Sequence, residues 1–342
     1  MVARIALTAA SLLALAACQS TSTTSTTPAT PAPAPAAPTA AAAAPAPPPI
    51  WQQGRTADQA SSKLAPHAGR NTVTPVSEIP IDKVLRYDGI EKNPAVAPVD
   101  MTAAFALPKE QHHNWKYIAF GPDNKLYVPF GAPCNICEPA AEYAQIRRYN
   151  ADGSGMEVIA RGVRNTQGFA WHPVTKEMWF TDHGRDWMGD DTPEDELNRM
   201  SKTGANFGFP YCHANGLPDK DIKKANPCDG VTLPVTTMGP HAAVMGVLFY
   251  TGTMFPAEYR NALFVARKGS WNRTQKYGYD VVTVRTDADG KNAKIVPFMT
   301  GFLDPSNDSF SGRPTYMLQL PDGSMLVSDE QLGAIYRITY AR

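Results

Sequence analysis

The chain of 342 residues has no excess of charge of either sign and, beyond its first residues, no long apolar run. Its 32 Lys and Arg residues balance 32 Asp and Glu residues, so the formal net charge at pH 7 is zero. A nucleic-acid-binding protein needs a surplus of cations to neutralise phosphates, so this balance excludes that class. The lack of further apolar runs long enough to span a bilayer excludes a polytopic membrane protein.

Cysteines are also few, and their number, five, is odd, so one of them should have a separate fate. Cys134 and Cys137 have the spacing C-x-x-C, and Cys212 and Cys228 follow later in the chain. Attachment of c-type haem needs His directly after the second cysteine, where Glu138 stands instead. We predict the disulfides Cys134–Cys137 and Cys212–Cys228 for an oxidising compartment, and a zinc site built from the same four thiolates is the alternative.

Residues 1–17 are typical of a secretory leader, with a basic residue before the apolar run Ile5–Leu13. The sequence Leu15-Ala16-Ala17-Cys18 resembles the bacterial lipobox, in which the leader is removed and the cysteine is acylated. Gln19, rather than Asp, follows the cysteine, which predicts an outer-membrane lipoprotein that faces the periplasm. The membrane contact predicted here is the lipid on Cys18 alone.

Composition divides the rest of the chain. Residues 18–50 contain the lipidated cysteine, a Ser/Thr run and a Pro/Ala-rich linker, which cannot bury a core and should be extended. Residues 51–83 form a polar segment without a recognisable hairpin. Residues 84–342 have short apolar and aromatic runs separated by turn residues, as expected of a folded domain made of strands.

A strand–turn–strand pattern recurs four times in this domain, and an outer-strand pattern accompanies it. The predicted inner hairpins are Phe120–Val128, Trp171–Thr181, Met254–Val265 and Leu320–Ser328, and the predicted outer strands are Val84–Asp88, Ile146–Asn150, Val281–Arg285 and Ile335–Ile338. This alternation predicts an all-β fold of the β-propeller type. Between Gly184 and Ala243 we predict a loop-rich insertion.

Four polar clusters flank these hairpins. They are residues 111–116, 164–168, 267–273 and 311–314. Because the ends of inner strands ring the central channel at one face of a propeller, the four clusters should converge. Three carry Arg or Lys, and the cluster 111–116 carries His beside Lys116, a combination that suits a polyanionic ligand handled by a general base.

Several motifs together resemble the glucose/sorbosone dehydrogenase family, the soluble PQQ-dependent sugar dehydrogenases, and most of all its bacterial sorbosone dehydrogenases. The motifs are His112-His113-x-Trp115-Lys116, Phe120-Gly121-Pro122-Asp123, Gly131-Ala132-Pro133-Cys134-Asn135-Ile136-Cys137-Glu138, Arg164-Asn165-x-Gln167-Gly168, Gly184-Arg185-Asp186-Trp187-x-Gly189-Asp190-Asp191, Asp195-Glu196-Leu197-Asn198, Gly269-Ser270-Trp271-Asn272-Arg273 and Gly312-Arg313-Pro314. The resemblance runs from Val84 to Tyr340. It implies a six-bladed β-propeller, of which this chain lacks the first blade and part of the second.

The same resemblance implies oxidation of an aldose or sorbosone-type sugar by hydride transfer to PQQ, with electrons passing on to an external quinone or cytochrome. His113 matches the family's catalytic base, for which a pKa of ~6.5 would suit the working pH. Its neighbour His112 is the alternative base and a cofactor contact. Arg164 and Asn165 match the pair that contacts the quinone oxygens.

The remaining cofactor contacts implied by the resemblance are Lys268, for which Arg267 competes, and Arg313, which would pair with a PQQ carboxylate. The backbone carbonyls of Gly184 and Arg185 match the ligands of a calcium ion. Two alternatives stay open. A calcium-dependent propeller lactonase would need acidic and Asn side chains in the channel, and a non-catalytic cell-surface binding module is favoured by the missing blade.

Overall fold

The computed structural model describes residues 83–93, 95–108, 112–113, 116–287 and 290–340. Its strands are β1 (Leu85–Arg86), β2 (Val99–Asp100), β3 (Ala119–Phe120), β4 (Leu126–Phe130), β5 (Gln145–Tyr149), β6 (Glu157–Arg161), β7 (Phe169–Trp171), β8 (Met178–Asp182), β9 (Glu194–Met200), β10 (Ala205–Asn206), β11 (Cys212–His213), β12 (Leu217–Pro218), β13 (Thr236–Pro240), β14 (Val244–Phe249), β15 (Leu263–Arg267), β16 (Asp280–Arg285), β17 (Lys294–Met299), β18 (Leu303–Asp304), β19 (Ser309–Phe310), β20 (Pro314–Gln319), β21 (Met325–Asp329) and β22 (Ala334–Ile338). Helix α1 is Thr102–Phe105, and Ala257–Tyr259 form a 3₁₀ turn. The predicted leader, the linker with Cys18 and residues 51–82 lie outside the described ranges.

Four larger sheets follow one another along the described chain. Their strand orders are β3-β4-β5-β6-β10, β7-β8-β9-β13, β14-β15-β16-β17 and β20-β21-β22. All neighbouring strands in them are antiparallel except β6 and β10. The all-β prediction is confirmed, and successive meander sheets are the arrangement from which propellers are built.

The first, second and fourth predicted hairpins correspond to β3–β4, β7–β8 and β20–β21. Asn124 makes the first turn in the left-handed region with φ of 60°, which Asn tolerates better than most residues. The third prediction was wrong in its first strand, because β14 pairs with β15 and lies before the predicted segment Met254–Val265. Met254 to Ala262 belong to the connection, which contains the 3₁₀ turn Ala257–Tyr259.

Three of the predicted outer strands pair as expected, namely β5 with β4, β16 with β15 and β22 with β21. The fourth differs, since β1 pairs with β2 in a separate two-stranded sheet. The number of blades stays a prediction, because the region before residue 83 lies outside the described chain.

The predicted loop-rich insertion between Gly184 and Ala243 also contains the two outer strands of the second sheet, β9 and β13. Acidic residues are rare in strands, so the sequence of β9, with Glu194, Asp195 and Glu196, does not predict a strand. Asp195 and Glu196 are nevertheless buried, and their carboxylates accept hydrogen bonds from backbone N–H groups.

Both predicted disulfides are present, Cys134–Cys137 and Cys212–Cys228. The zinc alternative for these four cysteines is therefore excluded. Among the described residues, no helix combines the length and the apolar character that a membrane span requires.

The core consists of apolar clusters between neighbouring sheets. One cluster joins Ile146 and Ile159 of the first sheet to Phe180 of the second. The next joins Trp179 and Leu197 of the second sheet to the third, and another joins the third sheet to the fourth. Burial of this apolar surface stabilises each sheet against its neighbours and fixes the positions of the loops at the sheet ends.

Candidate active site

The loops at one end of the sheets surround a cavity of about 260 Å³. It is lined by His112, His113, Arg164, Asn165, His183, Gly184, Asp186, Asp195, His241, Ala243, Trp271 and Asn272. The start of an inner strand and the end of its antiparallel neighbour lie at the same end of a sheet, which brings these sequence-distant residues together. Three of the four predicted clusters meet in the cavity, and the fourth, residues 311–314, does not line it.

His113 is held by the chain segment that follows β4. Its Nδ1 lies 2.8 Å from the carbonyl oxygen of Ala132, which can only accept a hydrogen bond, so Nδ1 carries the proton and Nε2 carries the lone pair. The N–H of Ala132 donates to the carbonyl of Arg164 at 2.8 Å, so one peptide segment positions both residues. Gly131 makes this close approach possible, because a Cβ there would lie 2.5 Å from the Cβ of His113.

The pKa of His113 differs from the ordinary value expected from the sequence. Burial, reinforced by the positive charge of Arg164 and by His112, lowers the pKa of His113 from 6.5 to about 2. The imidazole is therefore neutral at physiological pH. A negatively charged ligand close to the ring would raise this pKa again, because it favours the imidazolium form.

Arg164 is buried, with 3% of its surface exposed, and all five of its N–H groups have acceptors in the protein. Nε and Nη2 donate to the backbone and side-chain oxygens of Asn135 at 2.9 and 2.8 Å, and Nη2 also reaches Asp186 at 3.1 Å. Nη1 donates to the carbonyls of Gly184 at 2.9 Å and His183 at 3.4 Å. The guanidinium thus ties together three loops at the floor of the cavity.

Two buried carboxylates hold the backbone of the site residues. Asp182, the last residue of β8, accepts the N–H groups of Arg164 and Asn165 at 2.7 and 2.6 Å. Asp195 accepts those of Gly184 and Val244 at 2.9 and 3.3 Å. Burial raises the pKa of both carboxyls to about 7, while the bonds that they accept act in the opposite direction.

His183 and Asn165 form a second fixed pair. Nε2 of His183 lies 2.6 Å from the carbonyl oxygen of Val244 and therefore carries the proton. Its Nδ1 accepts from the amide of Asn165 at 3.2 Å, and the oxygen of that amide accepts from Gln167 at 2.6 Å. Burial lowers the pKa of His183 to about 3, so this imidazole is neutral as well.

Lys268 and Arg313 lie together beside the cavity and do not line it. Both bind the carboxylate of Glu330, at 3.1 and 3.4 Å, and Arg313 also donates to the carbonyls of Lys268 and Gly269. Arg267, the competing candidate, makes a two-pronged ion pair with Asp280 at 2.7 and 2.6 Å inside the third sheet. Arg267 is therefore structural, and Lys268 remains the candidate.

Of the two predicted calcium ligands, Gly184 lines the cavity and Arg185 does not. The side chain of Arg185 is buried against Asp219 and Asp221, at 2.9 and 2.7 Å, and only its backbone carbonyl matters for the prediction. Within the described residues, no cluster of three or more His, Cys, Asp or Glu side chains is arranged to hold a metal ion. A cation here would need carbonyl and amide oxygens in addition to any carboxylate.

Sequence reasoning missed several residues of the site. Asn135 binds both Arg164 and Asp186, and Asp186 in turn accepts from Asn272 at 2.8 Å. Asn135 lies inside the C-x-x-C loop, and that pattern indicates a role for the two cysteines but none for the residues between them. Asp182 carried a usable signal, because it directly follows a predicted hairpin in the same way as Asp329, which accepts the N–H of Arg313 at 3.0 Å.

Taken together, the fold and the cavity define an all-β protein whose imidazole- and cation-containing site lies at the ends of neighbouring sheets. The sequence pattern of the family described as glucose/sorbosone dehydrogenase matches residues 100–272. The chain belongs to this family, and the resemblance found in its motifs is confirmed.

Known proteins similar to the chain include an uncharacterized protein of Borreliella burgdorferi, 36% identical over 241 residues, which are 69% of this chain and 63% of that protein. The chain thus spans less than two thirds of this relative's length. An iodide structure of the carbohydrate-active enzyme family AA12 from Trichoderma reesei has a TM-score of 0.59 at 19% identity and covers 75% of this chain and 76% of that chain. The holo form of the pyranose dehydrogenase PQQ domain from Coprinopsis cinerea has a TM-score of 0.58 at 18% identity, covering 76% and 78%. These structures show a shared fold.

Proposed function

We propose that the chain is a PQQ-dependent dehydrogenase that oxidises an aldose or a sorbosone-type sugar. The observation that carries the proposal is the meeting, in one cavity, of a neutral His113 with the Arg164–Asn165 pair. Family membership and the fold shared with the PQQ domain of a pyranose dehydrogenase support it.

His113 acts as the general base in this proposal. A base must be unprotonated before it accepts the proton of a sugar hydroxyl, and its burial meets that condition. The hydrogen bond from Nδ1 to Ala132 leaves Nε2 as the accepting atom. As the C–H bond of the same sugar carbon breaks, its hydride leaves with two electrons, the proton goes to Nε2, and the C–OH group becomes a carbonyl.

PQQ, when bound, would supply the acceptor for that hydride, and its carboxylates would raise the low pKa of His113 towards the working pH. The donor set fits such a ligand, because a tricarboxylate needs cations. Arg164 contributes its positive charge, and its longest bond, 3.4 Å to His183, is the one most readily exchanged for a ligand oxygen. Lys268 and Arg313 lie together beside the cavity, where both bind the carboxylate of Glu330.

Calcium is the second proposed group. The Oδ1 atom of Asn272 lines this region, is buried, and has no hydrogen-bond partner among the described residues. Together with the carbonyl of Gly184 and the carboxylate of Asp186, it offers the hard oxygen ligands that calcium prefers. The carbonyl of Arg185 is the further proposed ligand.

We further propose that the protein is a lipoprotein anchored through Cys18 in the outer membrane and facing the periplasm, as its sequence predicts, and that it passes electrons to a quinone or a cytochrome. The anchor is tested by Cys18→Ser, which should move the protein from the membrane fraction to the soluble fraction and abolish fatty-acid labelling. A variant that still pellets with membranes would contradict the anchor.

Reconstitution tests the proposed activity. The purified full chain would be titrated with PQQ in the presence of calcium, then assayed with aldoses and an artificial electron acceptor, with samples lacking PQQ or calcium as controls. We expect sugar-dependent reduction of the acceptor only when PQQ is present. If calorimetry finds no PQQ binding with calcium present, the chain is a non-catalytic propeller that retains the family's motifs, and the proposal fails.

A further inference from the structure

Two exposed tryptophans stand side by side at the mouth of the cavity. Trp187 is 64% exposed and Trp271 is 48% exposed, and their rings meet edge to face with centroids 5.3 Å apart. The other two tryptophans in the described ranges, Trp171 and Trp179, pack in the cores between sheets. Trp271 itself lines the cavity, so the exposed aromatic surface is continuous with the candidate active site.

The two loops that carry these rings are fixed to each other. Asn272 donates to Asp186 at 2.8 Å, next to both tryptophans. Further along, Arg273 binds Asp191 at 2.6 Å and the backbone of Asp190 at 3.0 Å. The two rings therefore belong to a preorganised surface, on which a ligand would not have to order the loops as it binds.

The backbone at Trp187 is unfavourable for a bulky residue. Its φ is 67°, in the left-handed region, where large side chains are rare. Such conformations persist where the surrounding structure enforces them, often at ligand-binding sites. Here the enforced conformation presents a large apolar ring to solvent, where its own burial does not compensate for the strain.

We propose that Trp187 and Trp271 form a saccharide subsite that holds a second sugar ring, adjoining the ring that is oxidised. This inference rests on the proposed sugar dehydrogenase function and names its substrate class as oligosaccharides with a reducing-end aldose. A pyranose has a face of C–H groups that packs on the electron-rich face of an aromatic ring, while its hydroxyls point outward.

The polar surroundings suit such a ligand. His112, His241 and Asp186 line the cavity together with Trp271, so polar side chains adjoin the aromatic surface. An apolar patch of only two rings is small for a stable protein–protein interface, which buries on the order of 800 Å² on each partner.

Binding of saccharides to the full chain without PQQ tests the subsite directly. Cellobiose, maltose and glucose would be titrated by calorimetry and by tryptophan fluorescence. The variants are Trp271→Ala and Trp187→Asn, since Asn tolerates a positive φ better than Ala does. Tyr340→Ala is the matched control, because Tyr340 is an aromatic residue 48% exposed that does not line the cavity.

We expect at least one disaccharide to bind more tightly than glucose, and each tryptophan variant to lose about tenfold in disaccharide affinity. Tyr340→Ala should bind both disaccharides and PQQ as wild type does. The subsite is contradicted if neither disaccharide binds wild type, or if the tryptophan variants bind both as wild type does. If the tryptophan variants bind disaccharides as wild type does but pass electrons more slowly to a protein acceptor, the two tryptophans are instead a docking site for that acceptor. Since these titrations omit PQQ, a failure of PQQ binding would overturn the dehydrogenase function separately.

Discussion

Burial sets the protonation state of the histidines at the site. His113 and His183 have pKa values of about 2 and 3, chiefly because the cavity floor withdraws them from water and places Arg164 nearby. Their protons lie on opposite ring nitrogens, since Nδ1 of His113 and Nε2 of His183 each face a backbone carbonyl. The two neutral imidazoles are therefore opposite tautomers, which can be compared in one sample.

Nitrogen-15 NMR of the PQQ-free protein tests these assignments. Between pH 5 and pH 8, roughly the range in which an ordinary histidine changes its charge, both rings should stay neutral. His113 should show the Nδ1–H tautomer and His183 the Nε2–H tautomer. Titration of His113 with a pKa near ~6.5 would contradict the account.

The same shifts predict how stability depends on pH. Both histidines bind a proton less readily in the folded chain than in the unfolded chain, where the pKa is about 6.5. The stability that they contribute is therefore present above pH ~6.5 and is lost as the pH falls towards 3. His183→Gln should reduce the slope of the free energy of unfolding against pH over this range, measured by urea denaturation, and an unchanged slope would contradict the assignment.

Asn135 is uncharged and is not a proposed ligand of the cofactor, but its side chain positions both Arg164 and Asp186. Asn135→Ala deletes the acceptor of Arg164 and of the Asp186 N–H, so the free energy of unfolding should fall by about 1.5–3 kcal/mol. Affinity for PQQ should fall too, because Arg164 and the Asp186 loop lose their common anchor. Asn135→Asp, which keeps the acceptor oxygen, should recover much of that affinity.

The matched control is Asn150→Ala, since the Asn150 side chain is exposed and donates to Ser154. Equal losses of PQQ affinity in Asn135→Ala and Asn150→Ala would show that Asn135 has no positioning role.

Among structural elements, the two disulfide loops differ in length and in place. In the chain-entropy model, removing Cys212–Cys228, with a sequence separation of 16, should lower the free energy of unfolding by about 3 kcal/mol. Removing Cys134–Cys137, with a separation of 3, should lower it by about 2 kcal/mol. Only the removal of Cys134–Cys137 should also weaken PQQ binding, because the loop that this bridge closes contains Asn135.

Double Cys→Ala variants of each bridge, compared by urea denaturation and PQQ titration, test this difference. The result against it would be a larger loss of PQQ affinity when Cys212–Cys228 is removed than when Cys134–Cys137 is removed.

Strands with apolar alternation and clear turn residues were predictable from the sequence, and β3–β4, β7–β8 and β20–β21 lie where the repeats place them. Strand β9 was not predictable, because the fold buries Asp195 and Glu196 to bind backbone N–H groups, a tertiary role that composition does not reveal. The partners of Asp182 also lie 17 and 18 residues away in the chain, but its place directly after a predicted hairpin, shared with Asp329, is a signal that the sequence does contain.

At the scale of the whole molecule, packing of successive sheets brings residues from three of the predicted clusters into one cavity. His112, His113, Arg164 and Asn165 could be named from the sequence because their motifs are specific. The sequence did not predict that Arg313 lies beside Glu330 and outside the cavity, since this position depends on how the third and fourth sheets meet.

The central claim is that His113 takes the proton while the cationic groups hold the cofactor, and a single-turnover experiment tests it most directly. PQQ-loaded protein would be mixed with sugar without an acceptor, and reduction of the bound cofactor followed by absorbance in wild type, His113→Ala and Arg313→Ala. We expect His113→Ala to bind PQQ but to be reduced about 10²–10⁴-fold more slowly. Arg313→Ala should instead bind PQQ more weakly and regain part of its rate in excess PQQ. Reduction of His113→Ala at the wild-type rate would contradict the account.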